Sequence, residues 1–227
     1  MTAYVLPAPA VPTVPVGGEA AVFPVRRIFC VGRNYAAHRR EMGSDDRDPP
    51  FFFTKPADAA APPGVDVPYP PGTRNLHHEI ELVVALGAGG ANVPVERALD
   101  LVYGYAAGVD LTRRDLQNAA KDKGQPWDAS KAFDFSAPIS AIRKGAAAPQ
   151  GRIRLAVNGV VRQDASLADM IWSTPEIIAE ASRLWRLAPG DLIFTGTPEG
   201  VGPLAVGDKV TGEIEGVGAL SFTVRSA

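Results

Sequence analysis

Short apolar runs separated by turn residues dominate this chain, a spacing that suits strands better than long helices. Arg26–Val31 predicts a buried strand, and Leu76–Leu86 and Tyr103–Leu111 predict two more. Asp191–Thr195, Lys209–Ile214 and Leu220–Val224 add further strands between Gly-rich turns. Ile153–Val157 and Val160–Gln163 flank Asn158-Gly159, a dipeptide suited to a two-residue hairpin turn. Helical character is confined to short stretches. Tyr35–Met42 is one, with Gly43 as its stop, and Ala98–Val102 is a short helix or turn. Arg113–Lys121 follows Thr112, a good N-cap residue, and Thr174–Leu187 carries Pro175 in its first turn. The pattern predicts a mixed α/β, β-rich fold.

Composition adds boundaries to that picture. Prolines at 7, 9, 12 and 15 mark an extended N-terminal arm, and the Pro-rich segment Ala57–Gly72 suggests a soft division. Residues 1–68 are therefore expected to form an arm and small subdomain, and residues 69–227 the main body. A chain of 227 residues buries a substantial core without disulfides. Cys30 is the single cysteine and lies in the apolar run Ile28–Val31, so it is expected to fill space in the core rather than act as a nucleophile. A lone cysteine fits a reducing compartment, and the N-terminus lacks the pattern of a signal peptide, so a cytoplasmic location is expected. No segment approaches the roughly 18 apolar residues of a membrane span. A formal net charge of −2 argues against a nucleic-acid partner.

The sharpest chemical signal is the segment from His77 to Leu86. Alternate side chains on a strand share a face, which puts Glu79 and Glu81 together, with Ile80, Leu82 and Val84 opposite. Two like charges beside an apolar run leave two options: that face is wet, or a cation sits between the carboxylates. Asp110 ends the uncharged run Leu101–Val109, where a buried strand would give way to a loop. Three carboxylates without a cysteine cluster make an all-oxygen donor set, suited to Mg²⁺ or Mn²⁺ and poorly suited to structural zinc. His77 shares the glutamate face, and His78 points away from it.

A second group lies upstream. His38 and Glu41 are three residues apart on the expected helix, so their side chains can meet. Such a pair is either a surface ion pair or a general base oriented by a carboxylate. The charged loop Ser44–Pro50 that follows would let the helix act as a lid. Lys131 stands near Trp127, Phe133 and Phe135, either snorkelling at the surface or held in a partly buried place where it stabilises an oxyanion. Thr195–Gly202 is a Gly-rich turn after a strand. It lacks the Gly-Lys-Ser/Thr signature of a phosphate loop, and is expected to bring backbone amides and a threonine hydroxyl near a substrate.

Taken in order, several stretches resemble the fumarylacetoacetate hydrolase family. They are Val31-Gly32-Arg33-Asn34-Tyr35 with His38 and Glu41, Phe53-Thr54-Lys55-Pro56, His78-Glu79-Ile80-Glu81, Gly108-Val109-Asp110-Leu111-Thr112 and Arg114-Asp115-Leu116-Gln117. Lys131-Ala132-Phe133-Asp134 and Thr195-Gly196-Thr197-Pro198 complete the set. The resemblance runs from about Val25 to the C-terminus and is closest to the family's compact bacterial branch.

It implies a β-roll of mixed sheets with a few short helices, assembled as a homodimer, with the catalytic core in residues 69–227. It implies Mg²⁺ or Mn²⁺ on Glu79, Glu81 and Asp110, and a His38–Glu41 dyad that activates water. Lys131 would stabilise negative charge, and Arg114, Gln117 and Thr197 would hold a small 2-oxo acid. The implied reaction is hydrolysis of a C–C bond in an acylpyruvate, such as fumarylpyruvate to fumarate and pyruvate in the gentisate route of aromatic-compound breakdown. The same scaffold hosts oxaloacetate decarboxylases or tautomerases and hydroxymuconate-type isomerases, which fold and metal site do not separate. A non-catalytic metabolite-binding module is the remaining alternative. Four arginines, Arg33, Arg39, Arg40 and Arg74, are candidates to grip a distal carboxylate.

Overall fold

Short strands, fully buried at the centre of the larger sheet and alternating inward and outward in the second, sort the chain into two large sheets and several small ones. The computed structural model describes residues 4–35 and 48–227. The larger sheet has six strands in the order β12 (Arg143–Lys144), β9 (Val102–Val109), β8 (Ile80–Leu86), β15 (Asp191–Phe194), β3 (Arg27–Gly32) and β4 (Phe51–Lys55). Its pairs are antiparallel except β15 with β3. The second sheet runs β14 (Val160–Ser166), β13 (Arg152–Val157), β17 (Lys209–Ile214), β18 (Gly218–Arg225) and β6 (Val67–Pro68), with only the last pair parallel.

Three smaller sheets close the ends. One joins β10 (Thr112–Arg113), β7 (Leu76–His78) and β16 (Gly202–Leu204). The others pair β1 (Thr13–Pro15) with β2 (Val22–Pro24), and β11 (Ala137–Pro138) with β5 (Ala60–Ala61). The described helices are short: α1 (Val95–Ala98), α2 (Arg114–Asp122), α3 (Asp128–Lys131) and α4 (Thr174–Leu184). No described helix is long and apolar enough to cross a membrane.

Both faces of the six-stranded sheet are buried, which is why its strands read as nearly continuous apolar runs. Ile80, Leu82 and Val84 pack with Leu155, Val210 and Phe222 of the second sheet and with Ile177 of α4. Val83, Ala85 and Phe194 pack on the opposite side with Val14, Phe23 and Ile139. Cys30 belongs to that second cluster and is fully buried, as expected of a core residue. Burial, more than the nearby Asp110 charge, pushes its thiol pKa well up.

Several boundaries differ from the sequence reading. The expected strand Leu76–Leu86 is two strands divided at Glu79, because β7 pairs with β10 and β16 while β8 joins the central sheet. Thr112 is not the N-cap of α2. It pairs with His77 in the β-ladder, and Arg113 takes the cap position without a side-chain bond. Helix α4 starts as expected, with a Ser173–Glu176 capping box and Pro175 in the first turn, but ends at Leu184 rather than Leu187. Leu187 exchanges backbone hydrogen bonds with Gly90, which draws the chain out of the helix. Asn158 and Gly159 both have positive φ, 53° and 78°, as a type I′ hairpin turn requires. The helix expected over Tyr35–Met42 falls, beyond Tyr35, outside the described residues.

Candidate active site

The register between β8 and β9 gathers the three carboxylates. Glu81 lies opposite Gly108, and just beyond the ladder Asp110 N–H donates to Glu79 O at 2.8 Å. A side chain at Gly108 would strike Val83 and Phe194, with a Cβ only 2.5 and 2.6 Å from them, so glycine keeps this strand pair close. One oxygen from each of Glu79, Glu81 and Asp110 falls within 4.8 Å of the others. All three residues are buried. The wet-face alternative is thereby excluded.

Three cations surround the acids. Lys131 is 2 % exposed, not a snorkelling surface lysine. Its Nζ donates to Glu79 Oε2 at 2.7 Å, and to Asp110 Oδ2 and Thr112 Oγ1 at 2.6 Å each, which commits all three of its protons. Lys55 comes from β4, with its Nζ 2.9 Å from Asp110 Oδ1 and 3.2 Å from Leu111 O, and donating to Lys131 O. Arg114 bonds Glu79 Oε1 through Nη2 and Gln117 Oε1 through Nη1.

The acids respond differently to these neighbours. Burial alone would raise Glu79, but Lys131 and Arg114 outweigh it and hold this carboxyl well below the usual range. For Glu81, burial and then the charges of Asp110 and Glu79 push the pKa well up. None of the three cations bonds Glu81. Among the described residues its one hydrogen bond is from Gly196 N–H, 2.7 Å from Oε2. Asp110 Oδ1 is likewise buried without a hydrogen bond, since Lys55 lies near it but off the bonding direction. An under-partnered glutamate and an orphaned aspartate oxygen, both facing an all-oxygen cluster, fit a hard divalent cation.

The Gly-rich turn supplies the far side. Gly196 has φ +97°, and a Cβ there would lie 2.6 Å from Asn34 Cβ, so only glycine presents this amide to Glu81. Gln163 pins the turn from beneath: its Nε2 donates to Thr197 Oγ1 and Pro198 O, while Oε1 accepts from Ile80 N–H and His78 Nδ1. Thr197 Oγ1 thus serves as an acceptor on its inner side, and no described residue takes its proton. His77 donates from Nε2 to Asn75 Oδ1 and faces the Arg114 guanidinium with Nδ1. Burial, then Arg114, pushes its pKa down to about 4, so His77 is neutral at pH 7.

A cleft of about 270 Å³ opens over this floor. Arg114, Gln117, Lys131 and Thr197 all line it together with the three acids, as does Arg33 among the candidate arginines. Arg74 does not line it, and instead its backbone N–H bonds Asp115. A larger hollow of about 620 Å³ lies on the outer face of the second sheet, but its charged residues, Arg154 and Glu213, are exposed. We place the site in the smaller cleft. His38, Glu41, Arg39 and Arg40 lie outside the described residues. Lys55, Gln163 and Lys121, which also lines the cleft, had no assigned role in the sequence reading. Only the Phe53–Pro56 motif drew notice to the first.

A mixed-sheet roll with a buried, all-oxygen acid cluster on the floor of a cationic cleft is the arrangement of a metal-dependent enzyme. The chain belongs to the fumarylacetoacetate hydrolase family: residues 27–225 match the model for the fumarylacetoacetate (FAA) hydrolase C-terminal region. It is 48 % identical over 179 residues to a fumarylpyruvate hydrolase from Ralstonia sp, covering 78 % of this chain and 93 % of that one. It is 45 % identical over 203 residues to the mitochondrial oxaloacetate tautomerase FAHD1 of Mus musculus, covering 88 % and 92 %. The crystal structure of Pseudomonas aeruginosa fumarylpyruvate hydrolase, in complex with Mn²⁺ and pyruvate, superposes with a TM-score of 0.95 at 47 % identity, covering 99 % and 100 %.

Proposed function

We propose that this protein hydrolyses the C–C bond of an acylpyruvate, with fumarylpyruvate giving fumarate and pyruvate. The observation that carries this reading is the buried Glu79–Glu81–Asp110 cluster with Lys131 held between two of its members. The likeness to fumarylpyruvate hydrolases over nearly the whole chain supports it. Glu79, Glu81 and Asp110 would hold Mg²⁺ or Mn²⁺. When bound, the ion supplies Lewis-acid polarisation of the substrate's 2-oxo and carboxylate oxygens.

The chain's own residues carry the remaining steps. Arg114, Gln117 and Thr197 orient the acid. His38, oriented by Glu41, takes a proton from water as the water oxygen attacks the distal carbonyl. Lys131 donates to the developing oxyanion, which requires it to release one of its three acceptors; Thr112 is the neutral one. Collapse breaks the C–C bond, the electron pair leaves with the pyruvate fragment as its enolate, and protonation yields pyruvate. A cytoplasmic homodimer completes the proposal, and light scattering tests its assembly.

The mouse relative favours a second reading, tautomerisation of oxaloacetate, which needs no activated water. One assay separates them. Pyruvate release from fumarylpyruvate is measured with Mn²⁺ and with chelator, for the wild type and for His38→Ala. Metal-dependent release lost in the variant supports hydrolysis. Interconversion of oxaloacetate enol and ketone with acylpyruvates left intact would replace it by the second reading.

A further inference from the structure

Helix α2 presents Arg114, Gln117 and Lys121 to the cleft. Steps of three and four residues keep their side chains on one face. Arg114 marks the acid end, through its bonds to Glu79 and Gln117. Seven residues on, Lys121 stands about 10 Å further along the axis.

The cleft changes character there. Lys121 is half-buried, with its Nζ 5.1 Å from the Trp127 ring centroid. Trp127 meets Phe51 edge-on at 5.1 Å, and Arg33 Cζ lies 5.9 Å from the Phe51 ring. Arg33 takes φ 60°, a left-handed backbone that is uncommon for a residue with a side chain. Two cations thus flank a flat aromatic patch, and neither forms an ion pair with a described residue. Burial, then the charges of Arg114 and Arg33, lowers the Lys121 pKa, outweighing the opposing charge of Glu79.

We propose that Lys121 and Arg33 form the subsite for the far carboxylate of the substrate, so that the cleft selects a long dicarboxylic 2-oxo acid. This rests on the acylpyruvate reading of the same site and adds its specificity. The spacing matches: the carboxyl carbons of extended fumarylpyruvate are about 8 Å apart at ordinary bond lengths. Those of oxaloacetate, about 4 Å apart, do not span from the acid cluster to Lys121. The aromatic patch accepts the flat, unsaturated chain between the two ends.

The test uses Mn²⁺-loaded protein and a matched pair of ligands, 2-oxoheptanedioate and 2-oxoheptanoate, which have the carbon count of fumarylpyruvate and differ only in the far carboxylate. Calorimetry on the wild type is expected to show a preference for 2-oxoheptanedioate of roughly tenfold or more, the scale of a charge-assisted hydrogen bond. Lys121→Gln erases most of that preference while binding 2-oxoheptanoate within about twofold of wild type, and Lys121→Arg retains it. Arg33→Asn, a residue at ease in the left-handed region, reduces it as well. A preference that survives Lys121→Gln, or equal weakening of both ligands in that variant, overturns the subsite. Pyruvate release from fumarylpyruvate is measured on the same wild-type preparation. Its absence alongside an intact, Lys121-dependent preference would remove the hydrolase reading and leave the subsite standing.

Discussion

Lys55 Nζ lies 2.9 Å from Asp110 Oδ1, and neither side chain has appreciable contact with solvent. The same ammonium caps the carbonyls of Leu111 and Lys131. One buried lysine from β4 therefore ties together an acid of the cluster, the loop after it and the end of α3, which carries Lys131.

Replacing that lysine isolates groups that water cannot reach. Lys55→Met would leave Asp110 with Lys131 as its remaining cation and Leu111 O without the lysine's bond, while Lys131 O keeps Ser136 Oγ as donor. Removing one partner of a buried pair costs about 3–5 kcal/mol. Urea unfolding of the metal-free variant should show a loss on that scale. The double variant Lys55→Met with Asp110→Asn should recover part of it, because the uncompensated charge is gone. A loss below about 1 kcal/mol, the range of exposed pairs, would sink this account of Lys55.

How much of this was legible beforehand depends on the distance over which each feature is encoded. The Glu79–Glu81 face follows from strand periodicity alone, and the Asn158-Gly159 turn from two adjacent residues. Asp110 was visible because an uncharged strand ends at it. The break at Glu79 was not, since it arises from β7 leaving the central sheet to pair with β10 and β16. Thr112 was misplaced for a similar reason: local chemistry marks it as a cap, but a tertiary ladder with His77 and a bond from Lys131 claim it instead. Lys55 pairs with Asp110, far along the chain, and Gln163 reaches His78 across 85 residues. No local pattern announces such partners.

Gly196 is a position where the backbone itself should be intolerant of change. Its amide donates to Glu81 at φ +97°, and a methyl group there would press on Asn34. Gly196→Ala should cost about 1–3 kcal/mol in strain. Displacement of the amide should also remove the hydrogen bond that Gly196 gives Glu81 and weaken Mn²⁺ affinity. Unfolding and calorimetric titration read the two effects separately. Wild-type stability with unchanged Mn²⁺ affinity would show that an alanine is accommodated and that the amide does not hold Glu81.

Glu81→Gln should move stability in opposite directions with and without metal. In the metal-free protein burial and then the neighbouring charges of Asp110 and Glu79 raise the Glu81 pKa. A carboxyl raised on folding is tolerated while protonated, so this fold loses stability as pH rises through the raised value. Glutamine mimics the protonated form and escapes that loss. The metal-free variant should therefore melt above the wild type at pH 7–8, by about 2–4 °C for each kcal/mol of repulsion removed. Mn²⁺ at a hundred times its dissociation constant stabilises the wild type by about 2.7 kcal/mol, through binding to the folded state alone. The variant, short of one charged ligand, should lose most of that gain. Thermal melts of both proteins, each with chelator and with Mn²⁺, test the pair of signs together. A variant that melts lower without metal and keeps its full Mn²⁺ shift would show that Glu81 is not the repelled, metal-seeking member of the cluster.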